Sequence, residues 1–248
     1  MTKRRLVVVF GTMVLIGLKT TPVSLSQTAS IQAPLDTGEF IVRTVITRTK
    51  ENDEIKKEKL TYKRVYTVDN LNDNEQVTDR KKEEVVVVEL GGNERMIEKN
   101  GKPVNKGKAS RPKIELIKVL EAVLKLDEFN IARIETLDNR PHYVINFQPK
   151  PGQRINGNDV EEIILRSEGV MYVDIEKFYI KRISAWMTRS YSRGWGIFSL
   201  TRANVDMAQE EFEGIVVMKS IVIIDKYSFF GDTFEKQIFL YKDYQKTP

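Results

Sequence analysis

The chain has 248 residues, no cysteine and a single histidine. A disulfide-stapled scaffold and the usual Cys/His zinc sites are therefore excluded. Its 40 basic and 35 acidic residues give a formal charge of +5, but Lys3, Arg4, Arg5 and Lys19 fall in the first 26 residues, which hold no acid. The remainder is close to neutral, with 36 basic against 35 acidic residues, so overall charge makes no case for nucleic-acid binding.

The three early cations precede an apolar run from Leu6 to Leu18, and Ser24 and Ser26 follow at the spacing of a small-residue cleavage site. This pattern predicts a secretory signal over 1–26, cut after Ser26, and one domain over 27–248. No cysteine follows the apolar run, so the chain is not expected to be a lipoprotein itself.

Val-, Ile-, Thr- and Tyr-rich runs predict strands over Glu39–Thr49, Leu60–Asp69 and Gln76–Leu90, with a charged tip at Lys50–Lys57 and a turn at Asn70–Asn74. Gly91-Gly92-Asn93 and Asn100-Gly101 bracket a short strand at Glu94–Glu98. Lys102–Lys113 is basic and reads as a Gly/Pro/Asn-rich connection. A helix then follows, capped by Ser110 with Pro112 in its first turn, and Ile114, Leu116, Ile117, Leu120, Val123 and Leu124 form its apolar stripe. Strands at Ile131–Leu137 and His142–Gln148 form a hairpin around Asp138–Pro141. A second helix runs from Asp159 to Arg166, capped by Asn158 and carrying Val160, Ile163 and Ile164.

The last third predicts a five-strand meander: Val170–Asp174, Tyr179–Thr188, Trp195–Arg202, Glu213–Ile224 and Phe234–Tyr244, with breaks at Arg189–Gly194, Asn204–Glu211 and Ser228–Thr233. Ile215–Ile224 is apolar on both faces, so the sheet is either covered on both sides or lines an apolar hollow. The expected fold is mainly β (α+β): one strongly curved antiparallel sheet of about eleven strands, with two helices across its concave side.

Catalytic signatures are missing. His142 sits beside Pro141, and the chain has no Gly-x-Ser-x-Gly, no Gly-x-Gly-x-x-Gly and no phosphate loop. No enzyme activity, cofactor or metal is expected.

The C-terminal half carries Tyr143-Val144-Ile145-Asn146-Phe147 leading into Gln148-Pro149. Asp174 and Ile175 precede the next strand, and Ile180-Lys181-Arg182-Ile183 and Trp195-Gly196-Ile197-Phe198 follow. With the signal and the order of strands and helices, this resembles the periplasmic lipoprotein-carrier superfamily (LolA/LolB-like, outer-membrane lipoprotein-sorting proteins). That family has an Arg-Pro motif early in its sheet. The corresponding region here is Lys63-Arg64-Val65-Tyr66, without proline, so the motif's role is not carried to Arg64.

The resemblance implies an unclosed half-barrel whose apolar hollow shields acyl chains under a helical lid. Lining residues would come from Met171, Tyr172, Trp186, Met187, Trp195, Phe198, Met218 and Val222. Lid contacts would come from Leu116, Leu120, Ile163 and Ile164. It implies a monomeric periplasmic carrier of lipids or lipoprotein acyl chains, with inner- or outer-membrane transport proteins as partners. The alternative is a periplasmic sensor or interaction module of the same fold acting through a protein partner.

Overall fold

The computed structural model describes residues 37–56, 60–90, 93–108, 116–153, 159–194 and 197–246. Its first element is a helix, α1 (Gly38–Ile55), where a strand over Glu39–Thr49 was expected. The apolar positions explain the difference. Ile41, Val42, Val45 and Ile46 recur at helical spacing and are 0–6% exposed. The Thr37 side chain accepts from the Phe40 N–H as an N-cap, and Glu39 occupies the first turn.

Strands β1 (Leu60–Leu71), β2 (Val77–Leu90), β3 (Asn93–Lys99) and β4 (Lys102–Lys108) follow. The expected loop over Lys102–Lys113 thus begins as a strand. The turn residues Asn100 and Gly101 both have positive φ, at 48° and 74°, as an Asn-Gly hairpin requires. Helix α2 (Leu116–Leu126) comes next; its expected caps at Ser110 and Pro112 lie outside the described residues.

Strands β5 (Asp127–Leu137) and β6 (Arg140–Pro149) pair down to Leu137 and Arg140, so the turn is Asp138-Asn139 alone. After α3 (Asp159–Ile164) come β7 (Ser167–Asp174), β8 (Ile180–Met187) and the short β9 (Tyr191–Arg193). The cap expected at Asn158 lies outside the described residues. Long strands complete the chain: β10 (Phe198–Phe212), β11 (Ile215–Phe229) and β12 (Asp232–Lys246). The break expected at Asn204–Glu211 is the body of β10. Its Ala203, Val205 and Met207 point to the core while the polar residues between them alternate outward, and the chain turns later, at Glu213-Gly214.

The described residues thus hold twelve strands, matching the expected number of about eleven, and three helices rather than two. All pairings are antiparallel, in the order β4-β3-β2-β1-β12-β11-β10-β8-β7-β6-β5, with β9 paired to β10. The sheet is not closed, because β4 and β5 form its two edges. Helix α2 lies in the connection between those edges. Ten strand spacings of about 4.8 Å would separate them by ~48 Å if the sheet were flat. The segment from Lys108 to Asp127, with α2 inside it, spans about 45 Å at full stretch. A connection of that length, with α2 inside it packed against α1 and α3, goes with a curled rather than a flat sheet.

The three helices form one layer on the inner face of that curl. Gly38 begins α1 against the backbone of β5, where a Cβ would fall 2.8 Å from the Phe129 Cβ. Fourteen residues later, the Asn52 amide reaches β11. Its Nδ2 donates to Val216 O (2.9 Å), and its Oδ1 accepts from Val216 N (2.8 Å). Pairing of β11 with β12 stops at Ser220–Leu240, while β12 continues along β1 to Lys246. Asn52 therefore caps an edge that β12 has left, and the Tyr244 hydroxyl caps it again by donating to Met218 O. No described helix is long and apolar enough to cross a membrane.

Two substitutions test this packing. A Cβ at Gly169 in β7 would lie 2.3 Å from Phe147 Cζ and 2.4 Å from Ser184 O. Gly169→Ala should lower stability in urea unfolding by about 2 kcal/mol or more. Asn52→Ala leaves both Val216 backbone groups without their partner and should cost about 1–2 kcal/mol in the same measurement.

Candidate functional site

Residues paired across neighbouring strands share a face, so the register fixes which side chains point under the helices. The row Tyr66, Phe239, Ile221, Met207, Ile183, Met171 and Ile145 runs from β1 to β6 on this inner face. With Ile41, Val42, Val45, Leu120, Val123 and Ile164 from the helices, these side chains belong to one core cluster. Its inner-face members Ile183, Ala185, Val205 and Met218, and the helix residues Leu116, Val119, Leu124 and Val160, are only partly buried. A seam of incompletely covered apolar surface therefore runs where helices meet sheet.

The register divides the expected lining residues. Met171 is fully buried on the inner face, and Met218 packs against the same cluster. Leu116, Leu120 and Ile164 approach it from the helices. Met187 and Phe198 join a smaller cluster with Ile163, Tyr191, Leu200 and Ala203 at the α3 end. Tyr172, Trp186 and Val222 pair with Val144, Asn204 and Asp206 and so lie on the outer face. There Trp186 is 39% exposed, and its indole N–H donates to Glu168. Trp195 lies outside the described residues.

The inner face also carries polar groups that sequence patterning missed. Toward β3, Arg64 forms an ion pair with Glu94 (Nη1–Oε2 2.9 Å) at 6% and 11% side-chain exposure. The Tyr62 hydroxyl donates to the other Glu94 oxygen (2.8 Å), and its ring lies between Tyr241 and Tyr244. Burial works against the Arg64 charge, but Glu94 together with Tyr241 and Tyr62 outweighs it, and the guanidinium is held in its charged form. Burial, reinforced by Glu94, drives the Tyr62 phenol well above its ordinary range, and burial pushes Tyr241 up to about 12.

Two buried carboxyls have no hydrogen-bond partner on either oxygen: Asp127 and Asp225. Asp127 directly follows α2, where the helix dipole opposes negative charge. Burial pushes it up to about 7 against the pull of Lys150, whose ammonium donates to the terminal carbonyls of α2 at Leu124 and Lys125. Burial, with Glu235 behind it, also pushes Asp225 up to about 7, and the neighbouring Gln237 amide opposes that rise.

His142 is not at a turn but inside β6, 1% exposed, with Nδ1 2.9 Å from Arg140 O. Its outer-face partner Asp174 accepts from the Glu176 and Lys177 N–H groups. Arg140 reaches both Asp174 and Glu211, so this group clasps the ends of β6, β7 and β10. Among the described residues, no three His, Asp or Glu side chains gather as metal ligands would.

The structure is similar to proteins of the LolA superfamily. One from Nitrosomonas europaea aligns with a TM-score of 0.35 at 11% identity, over 86% of this chain and 94% of that one. A protein domain from Vibrio parahaemolyticus, named for outer-membrane lipoprotein sorting, aligns at 0.36 and 10% identity, covering 82% and 92%. The structure of the MucA/MucB complex of Pseudomonas aeruginosa aligns at 0.27 and 9% identity, covering 84% and 99%. No family model and no curated protein sequence matches the chain.

The two orphaned carboxyls make stability pH-dependent in a defined direction. Each is raised on folding, so its contribution is complete below about pH 4 and is lost as pH rises toward 7. Asp127→Asn and Asp225→Asn should each gain about 2 kcal/mol over wild type at pH 8 and little at pH 4. Urea midpoints at the two pH values measure this. An unchanged difference between variant and wild type would refute it.

Proposed function

We propose that the protein is a non-enzymatic carrier, exported by its first 26 residues, that takes up an apolar ligand between the curled sheet and its helical layer. The ligand class is a lipid or a lipoprotein acyl chain, delivered toward the outer membrane. The observation that carries this is the seam. Apolar inner-face positions at Ile183, Ala185, Val205 and Met218 remain partly open although the sheet has three helices to cover it.

The chemistry needs no reacting group. Each methylene moved from water to this face gains about 0.8 kcal/mol, enough in sum to hold a tail taken from a membrane. Met171, Met207 and Met218 give a lining that can repack when a tail enters and leaves. Besides their packed apolar undersides, the three helices are linked by the ion pairs Lys50–Glu121 and Lys125–Glu161. Such pairs contribute little, so lifting α2 out of the layer, while Asn52 keeps α1 on β11, costs mainly apolar contact that the ligand restores. Inner- and outer-membrane transport proteins would be the partners of a monomeric carrier.

A second reading, an interaction module acting through a protein partner, draws on the outer face. Trp186 (39% exposed) and Leu240 (46%) lie there with half-buried Val222, Ile224 and Ile238.

Native mass spectrometry of the protein from Gln27, purified without detergent, tests the carrier. A stoichiometric phospholipid or acylated peptide released by organic solvent is the expected result. A ligand-free mass that does not change after incubation with phospholipid vesicles would overturn it and favour the partner reading.

A further inference from the structure

Packing accounts for most of the inner face, but not for Asp225. It lies in β11 opposite Ala203 of β10 and Glu235 of β12, one inner-face step beyond the Val205–Ile223–Gln237 row. It is 2% exposed, and neither carboxylate oxygen has a hydrogen-bond partner. An apolar residue would serve the core better, since a buried carboxyl without partners costs several kcal/mol.

Its surroundings combine polar groups with hydrocarbon. Gln237, 1% exposed, accepts from the Tyr66 hydroxyl at Oε1 (3.1 Å), and its amide N–H₂ end favours the charged form of Asp225. Ile223 and Val68 lie on one side of Asp225, and the Leu200–Ala203–Tyr227 group covered by α3 on the other. Val205, diagonally next to it, is one of the partly open seam residues. A tail entering by the seam would therefore run over hydrocarbon and meet one acidic acceptor.

We propose that Asp225, supported by Gln237 and Tyr66, is a polar subsite that accepts a hydrogen bond from a nitrogen donor, ammonium or amide N–H, at the head of a long-chain amphiphile. This rests on the carrier reading and narrows its ligand. The ligand brings a donor within full hydrogen-bond reach, beyond the weaker pull of the Gln237 amide, and Asp225 gives register to a tail that would otherwise slide along a uniform apolar face. Carboxylate-to-ammonium bonds in a dry setting are among the stronger ones. An amine arises from an aminophospholipid and an amide N–H from an acylated peptide, so the two sources can be separated.

The test measures equilibrium binding of hexadecylamine, N-hexadecylacetamide and methyl palmitate to the mature protein at pH 7.5, each below its micellar concentration. Wild type should bind the two N–H donors about tenfold or more tightly than methyl palmitate, which has no donor. Asp225→Leu should abolish that preference and leave methyl palmitate unchanged or tighter. Asp225→Asn should weaken the amine more than the amide, because only the amine forms an ion pair with the carboxylate. Equal binding of all three probes by wild type, or a preference that survives in Asp225→Leu, overturns the subsite and leaves the carrier standing. Binding of none of the three overturns both. Urea unfolding of each variant checks its folding, and Asp225→Leu is expected to be at least as stable as wild type.

Discussion

The fold depends on the pairing of its first strand with its last. Ten register pairs join β1 to β12, from Leu60–Lys246 to Asn70–Glu235. They weld the block β1–β4 to the block β5–β12, which otherwise share no strand contact in the sheet order. The weld is also where the inner face becomes continuous. Tyr66 and Phe239 stack at 4.7 Å across it, and the Tyr66 hydroxyl bonds Gln237. Without this pairing, α2 would link two unrelated sheets and the curl would have no cause.

Such a weld is non-local, and that decides how much could be read from sequence. Strand content, hairpin turns at Asn100-Gly101 and Asp138-Asn139, and the helices on either side of the β5–β6 hairpin are local properties, and they were legible. Helix α1 was not, because its β-branched residues argue for a strand. The structure shows how they are accommodated: Thr44, Thr47 and Thr49 donate to the carbonyls of Phe40, Arg43 and Val45 one turn back. In β10 the reverse happened. Asn204, Asp206, Gln209 and Glu210 suggest a loop, yet their strand is held between β8 and β11.

The site was legible in kind rather than in detail. Alternation along β7, β8 and β11 gives two sets of side chains but not which set faces the helices. Only the helices packed on one face, with the register that carries that face from strand to strand, assign Met171 to the interior and Tyr172, Trp186 and Val222 to the exterior. For the same reason nothing in the local sequence marks Arg64 or Asp225 as buried. Each is a charge on a strand with apolar neighbours, and burial comes from elements distant in the chain.

The link between the two edges of the sheet has a mechanical consequence. Helix α2 joins β4 to β5 and packs on α1 and α3, so the two edge strands are tied to one another through the helical layer as well as through the sheet. The ends of the strand order are therefore held by a covalent connection of fixed length, which limits how far apart the two edges can stand whatever the state of the strands between them.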